Sequence, residues 1–267
     1  MRDWVRVCWA YLARDAAIST SYRLDFALRL GSMFFFITIL YFVSQFIGAS
    51  PALDRYGGYM PFAAVGMALA SFFQSGFTSF SSAVRNEQMT GTLEAVLLTP
   101  ARLPAIVLGS SLWSFAWGLL TILIYLGAVR LLFNVHFQGS WPAAAALVVF
   151  TTLVFSCLGV ISASFTMAFK RGDPLPIFVS ALSTLFGGVY FPVEVLPRSL
   201  QHISHLLPIT YGLRGLREVL LRGESFADVM PEIGILLLFA AVTLPLSAWC
   251  FARAVRHARR EGSLLVY

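Results

Sequence analysis

Six stretches of this chain, residues 28–47, 59–80, 105–129, 143–169, 175–191 and 233–251, are apolar and nearly free of charge. A helix needs about 20 such residues to cross a bilayer. The fifth stretch is the shortest, and proline and glycine crowd its end, so it either stops there or continues as a broken, re-entrant segment. The expected fold is an all-α polytopic membrane protein: a single transmembrane domain over residues 1–267, its six transmembrane helices within residues 28–251. Composition agrees, since 58% of the residues are hydrophobic and only 12% charged, against about 25% charged in a soluble domain. A water-soluble enzyme, a disordered tail and a secreted disulfide scaffold are all excluded. The three cysteines, Cys8, Cys157 and Cys250, are scattered and read as small buried hydrophobes.

Six spans leave both termini on one side, and charge selects that side. With the termini inside, the inner segments hold 13 basic residues, among them Arg2, Arg85, Lys170 and Arg256, against seven acids. The outer segments hold Arg55, Arg130, Arg198, Arg214, Arg217 and Arg222, matched by six acids. The whole net charge of +6 therefore lies on one face. Basic residues mark the cytoplasmic face of membrane proteins, so both termini are expected in the cytoplasm, and no nucleic acid is needed to explain the charge. Residues 252–267 form a basic tail on that side. Residues 1–27 lack the uninterrupted apolar core of a cleavable signal. Trp4, Val7, Cys8, Tyr11, Leu12 and Ile18 recur there at helical spacing among charges, which reads as an amphipathic helix in the membrane interface. The plainer alternative is a soluble helix packed on a partner.

Two connections carry most of the remaining information. Residues 85–104 form a cytoplasmic loop. Gly91 and Thr92 can open a short helix in it, and Glu94 in the first turn complements the positive helix end. Pro100 closes that helix, because proline disfavours helical geometry in the residue before it. Leu93, Val96 and Leu97 share one face, leaving Glu87 and Glu94 for a partner. A short, rigid, two-faced helix between long spans is suited to transmitting a push from a soluble protein. Residues 192–232 lie outside and hold Pro192, Pro197, Pro208 and Pro231. The apolar pieces 200–207 and 213–221 can dip into the membrane without crossing it, on condition that protein or a wet cavity surrounds them. Two readings stand for this segment: a gate at the end of a pathway, or a capping surface loop.

The chemistry that is missing matters as much. No phosphate-binding loop, zinc-protease motif or nucleophile elbow is present. His136, Glu194, His202 and His205 all fall on the outer side, but interfacial polar residues are far commoner than a metal site. The same sparse set is all that a polytopic membrane enzyme would have to work with. A proton- or sodium-driven carrier is expected to place carboxylates at the midplane. None is visible, so the energy for any transport comes from elsewhere.

The run Glu87-x-x-x-Gly91-Thr92-Leu93-Glu94, followed by Thr99-Pro100, resembles the coupling-helix signature of the membrane subunits of type-2 ABC exporters. Phe191-Pro192-x-Glu194-x-Leu196-Pro197, continuing to Leu207-Pro208-x-Thr210-Tyr211 and Arg217, resembles the outer re-entrant region of the same family. The resemblance implies a dimer of six-span subunits, most simply a homodimer, with two copies of a cytoplasmic ATP-binding cassette subunit. ATP and magnesium would be bound by that partner, and no cofactor by this chain. Arg85, Glu87, Gly91, Thr92, Leu93, Glu94 and Leu97 would couple to the ATPase. Phe191, Pro192, Glu194, Pro197, Pro208, Tyr211 and Arg217 would form the outer gate. The expected activity is export of a hydrophobic or amphipathic substrate, with a polysaccharide or glycolipid as the second choice. Phe34, Phe35, Phe36, Phe72, Phe73, Phe77 and Phe80 either line its route or face lipid and packing partners. Ser180, Ser183, Thr184 and Gly187 share a face suited to close helix packing, and Gly66/Ala70 and Gly159/Ala163 form small-xxx-small pairs.

Overall fold

The computed structural model describes residues 9, 12–14, 23–48, 51–89, 103–169 and 175–261. The described part is helical, with no strand. In chain order the helices are α1 (Arg23–Ile47), the short α2 (Pro51–Asp54), α3 (Tyr59–Met89), α4 (Leu103–Phe133), α5 (Trp141–Phe169), α6 (Leu175–Phe186), α7 (Arg198–His205), α8 (Pro208–Arg222) and α9 (Met230–Glu261), with a 3₁₀ turn at Val193–Val195 before α7. Four of them are long and apolar enough to cross a membrane, over Tyr59–Ala83, Ser111–Phe133, Trp141–Met167 and Met230–His257. Gly31–Ile47 and Leu175–Phe186 are shorter apolar helices.

Helix boundaries run past the apolar segments at several points. The helix of the second segment extends beyond residue 80 to Met89, and that of the sixth extends beyond 251 to Glu261. Lipid requires apolar side chains, but a formed helix propagates through polar ones at one hydrogen bond per residue. Accordingly, residues 85–89 and 103–104, expected in the cytoplasmic loop, are helical, as are residues 252–261 of the expected tail. The fifth segment behaves the other way. Its helix ends at Phe186, where Gly187 and Gly188 turn the chain, Gly188 at a φ of +78°.

Helix α3 is the hub. Some 67% of its most apolar stretch is buried, against 17% for α9, which lies along the outside of α5. Helices α4 and α5 pack on different sides of α3. Lipid tails are as apolar as leucine, so close packing rather than water exclusion holds such helices together. The α3–α4 contact is reciprocal: the Phe115 ring sits over Gly76, and the Phe72 ring over Gly118. A Cβ on either glycine would come within 2.7 Å of the facing ring. Toward α5, a Cβ on Gly159 would lie 2.6 Å from the Phe77 carbonyl, and Phe73 stacks on Phe155 with centroids 5.5 Å apart. Gly66 and Gly159 therefore serve contacts within one subunit.

The seven candidate route-lining phenylalanines divide. Phe72, Phe73, Phe77 and Phe80 are core residues, whereas Phe34, Phe35 and Phe36 are exposed on α1. Cys157 and Cys250 are free thiols, the first of them buried. Of the expected interfacial helix over residues 1–27, Trp4, Val7, Cys8, Tyr11 and Ile18 lie outside the described residues. Leu12 lies in a helical turn.

Candidate functional site

The segment after the Gly187–Gly188 turn is built by successive local closures. Pro192 leads into the 3₁₀ turn, and Pro197 caps α7 by accepting the Leu200 and Gln201 N–H groups on its carbonyl. Pro208 opens α8 at a position where its missing N–H costs nothing. Thr210 ties the two helices by donating its hydroxyl to the Ser204 carbonyl at 2.8 Å, and Tyr211 donates to the His205 carbonyl at 2.9 Å. Gly223, at a φ of +72°, ends α8 in the left-handed cap favoured there.

Helix α8 is packed rather than loose. Ile209, Leu213, Leu216 and Val219 belong to the same core as Val65 and Phe73 of α3, Leu147 of α5 and Leu236 of α9. The backbone approaches α5 closely, because a Cβ on Gly212 would lie 2.5 Å from Thr151 Oγ1. Helix α8 is thus integral to the fold, whereas of α7 only Ser204 is buried.

At the centre of this region Arg217 is buried, with 4% of its surface exposed. Its Nε donates to the Phe62 carbonyl at 3.1 Å, Nη1 to the Gly188 carbonyl at 2.7 Å and Nη2 to the Val189 carbonyl at 3.0 Å. The guanidinium also lies 3.5 Å above the centroid of the Phe62 ring. One side chain thus fastens α3, the turn after α6 and α8 together through three carbonyls and a π face. Arginine suits this position, since its planar fork holds several acceptors at once and stays charged. Gly66 makes the room. A Cβ there would stand 2.2 Å from Nη2 and 2.3 Å from the Val189 carbonyl oxygen.

Beside the clasp is a cavity of about 250 Å³. Of the expected gate residues, Pro192, Glu194, Tyr211 and Arg217 line it, whereas Phe191, Pro197 and Pro208 do not. Of its other polar walls, sequence reasoning missed Tyr56 and Gln201, set His205 beside Glu194 only in the sparse outer polar group, and had Arg214 only as an outer charge. Arg55 had registered only as an outer charge, and nothing in the sequence ties it to Glu194, whose carboxylate it meets at 3.1 Å. Burial pushes the Glu194 carboxyl up, but its own backbone N–H and the Arg55 guanidinium outweigh that and hold it below the ordinary carboxylate value. Tyr56 donates its hydroxyl to Glu218 at 3.1 Å. Burial first, and then the Glu218 charge, push its pKa up to about 12. Arg214 pairs with Glu232 at 3.7 Å, and Arg222 pairs with Glu218 and, at 3.2 Å, with Glu224. Among the described residues no group of histidines, cysteines and carboxylates is placed to hold a metal ion.

At the opposite end, Arg85 is exposed near the end of α3, and Glu87 lies in its last turn. Gly91, Thr92, Leu93, Glu94 and Leu97 lie outside the described residues.

A family model described as "ABC-2 type transporter" matches residues 7–221, which takes in the 85–104 connection and helix α8 as far as Leu221. The chain is 30% identical over 207 residues to "Inner membrane transport permease YadH" of Escherichia coli, covering 77% of this chain and 80% of that protein. It is 31% identical over 121 residues to "Linearmycin resistance permease protein LnrN" of Bacillus subtilis, covering 42% of this chain and 31% of that one. It is also 26% identical over 212 residues to "Nodulation protein J" of Rhizobium leguminosarum, covering 78% and 80%.

Proposed function

The chain belongs to the ABC-2 type transporter family, a multi-pass membrane permease rather than an ATPase, of a kind that works with an ATP-binding cassette partner. From that premise we propose that it is the permease subunit of an ATP-driven exporter with six spans and both termini in the cytoplasm of an inner-membrane assembly. Two copies pair, each seated on one of two ATPase subunits, and the dimer moves a hydrophobic or amphipathic molecule, drug-like or lipid-like, out of the cytoplasm or inner leaflet by alternating access. Family membership over residues 7–221 carries this reading. The charge distribution supports it. Arg217 is the only buried charged side chain among the described residues, and it lies in the segment after α6. A buried carboxylate such as ion-driven carriers use is therefore missing from the described helices, and the energy comes from the partner.

In this scheme residues 91–98 transmit closure of the ATPase subunits, and the segment from Pro192 to Arg217 gates release. The test is reconstitution of the chain with its ATPase partner in vesicles. Gly91→Val introduces backbone strain where a turn is needed. Glu94→Arg places the wrong charge at a helix start, where the native charge contributes about 0.3–1 kcal/mol. Both variants are expected to insert normally yet lose export and substrate-stimulated ATP hydrolysis, while Arg130→Gln, exposed at the end of α4 and outside both the loop and the gate, keeps both. Wild-type export by Gly91→Val and Glu94→Arg together would remove the coupling role of this loop.

A further inference from the structure

Between α5 and the last turns of α9 lies a cleft of about 560 Å³ that plays no part in the mechanism above. Ile161, Phe165 and Trp249 give it apolar walls, and Arg253 and Arg256 a cationic edge. The order along α9 sets the geometry. At 1.5 Å per residue, Arg253 and Arg256 stand about 6 and 10 Å beyond Trp249 on the helix axis. The apolar run of α9 ends at Phe251, so Trp249 falls where tryptophan rings sit at the membrane boundary and the arginines at the level of lipid headgroups.

Both arginines are exposed, and no carboxylate among the described residues forms an ion pair with either. Arg253 lies 5.7 Å from the Trp249 ring centroid, and Arg256 spends its Nε on the Ala252 carbonyl, which leaves its terminal nitrogens available. Positive groups without an acidic partner among the described residues, set on the edge of an apolar cleft at this depth, complement one kind of molecule: a phosphate diester attached to acyl chains.

We propose that this cleft binds an anionic phospholipid, its phosphate held by Arg253 and Arg256 and its acyl chain laid along Ile161, Phe165 and Trp249. A free phosphate ion would gain nothing from the apolar walls. The inference rests on α9 crossing the membrane and is independent of what is transported.

Native mass spectrometry of the full-length chain, titrated with phosphatidylglycerol or with phosphatidylcholine of matched acyl chains, tests it. The wild type is expected to retain phosphatidylglycerol preferentially and to melt at a higher temperature in its presence. Arg253→Gln/Arg256→Gln is expected to lower that affinity roughly thirtyfold, as two arginines at an anionic surface imply, while its melting temperature without lipid stays unchanged. Arg198→Gln, at the other end of the molecule, keeps the preference. Equal retention of the two lipids by the wild type, or an undiminished preference in the double variant, overturns the site. Inorganic phosphate that displaces phosphatidylglycerol at equal concentration shows an anion site without lipid specificity and overturns it as well.

Discussion

The two ends of this helical bundle handle charge in opposite ways. Around α7 and α8 nearly every charge has a counterpart: Arg55 with Glu194, Arg214 with Glu232, Arg222 with Glu218 and Glu224, and Arg217 with three carbonyls. At the far end of α9, Arg253 and Arg256 have an aromatic ring and a carbonyl but no ion-pair partner among the described residues. The first arrangement is internally neutral and spends its charges on holding elements together. The second leaves them available to something outside the chain. An equal balance of charge and a surplus of it are thus two different uses of arginine: one fastens, the other recruits.

The comparison can be broken most forcefully at Arg217. Arg217→Met keeps most of the bulk but leaves three buried carbonyls without their donor, and is expected to cost about 3 kcal/mol or more. Gly66→Ala pushes a methyl group into the same space and is expected to cost about 1–3 kcal/mol. Because both act on one contact, the double variant should fall well short of the sum. Thermal unfolding in detergent measures all three, and strict additivity would show that Gly66 matters for some other reason.

A smaller effect is expected at the exposed Arg55–Glu194 pair, where Arg55→Gln should cost under about 1 kcal/mol. The Glu194 carboxyl is held below its ordinary value. Its contribution is therefore complete above about 4.5 and fades as the pH falls through the lowered value. Melting profiles of wild type and variant should converge at the acid end. A difference that grows on acidification would contradict the pairing. The least perturbing test assigns the ends to sides of the membrane. Single cysteines in a cysteine-free background are expected to react with impermeant thiol reagents in intact cells at Ser199, and to be shielded at Arg256. Labelling at Arg256 would reverse the orientation.

Much of the fold is legible in the sequence because lipid imposes a coarse filter. The apolar segments mark the helices, and the pieces 200–207 and 213–221 surface as α7 and α8. Helix ends are less legible, since Arg85–Met89 and residues 252–261 extend helices that hydropathy cuts short. The clasp is the least legible. Arg217 stands out by resemblance, but its acceptors are main-chain carbonyls of Phe62, Gly188 and Val189, which any residue supplies. Gly66 looks like a helix-packing glycine because spacing cannot show that its neighbour is a guanidinium.

Helix α3 joins two places discussed so far only separately. Its last residue, Met89, leads into the 90–102 connection, and its first turns hold Phe62 and Gly66 against Arg217. Thirty-one residues of α-helix make a rod about 46 Å long, with no proline beyond the first turn to let it bend. Two rings seated in two notches stop α4 from sliding along it, so an axial shift at one end carries both helices. Hydrogen bonds of 2.7–3.1 Å tolerate a displacement of only a few tenths of an ångström before they weaken. An axial displacement of α3 therefore bears directly on one of the three bonds to Arg217, the one to Phe62, because the Gly188 and Val189 acceptors stand off the rod.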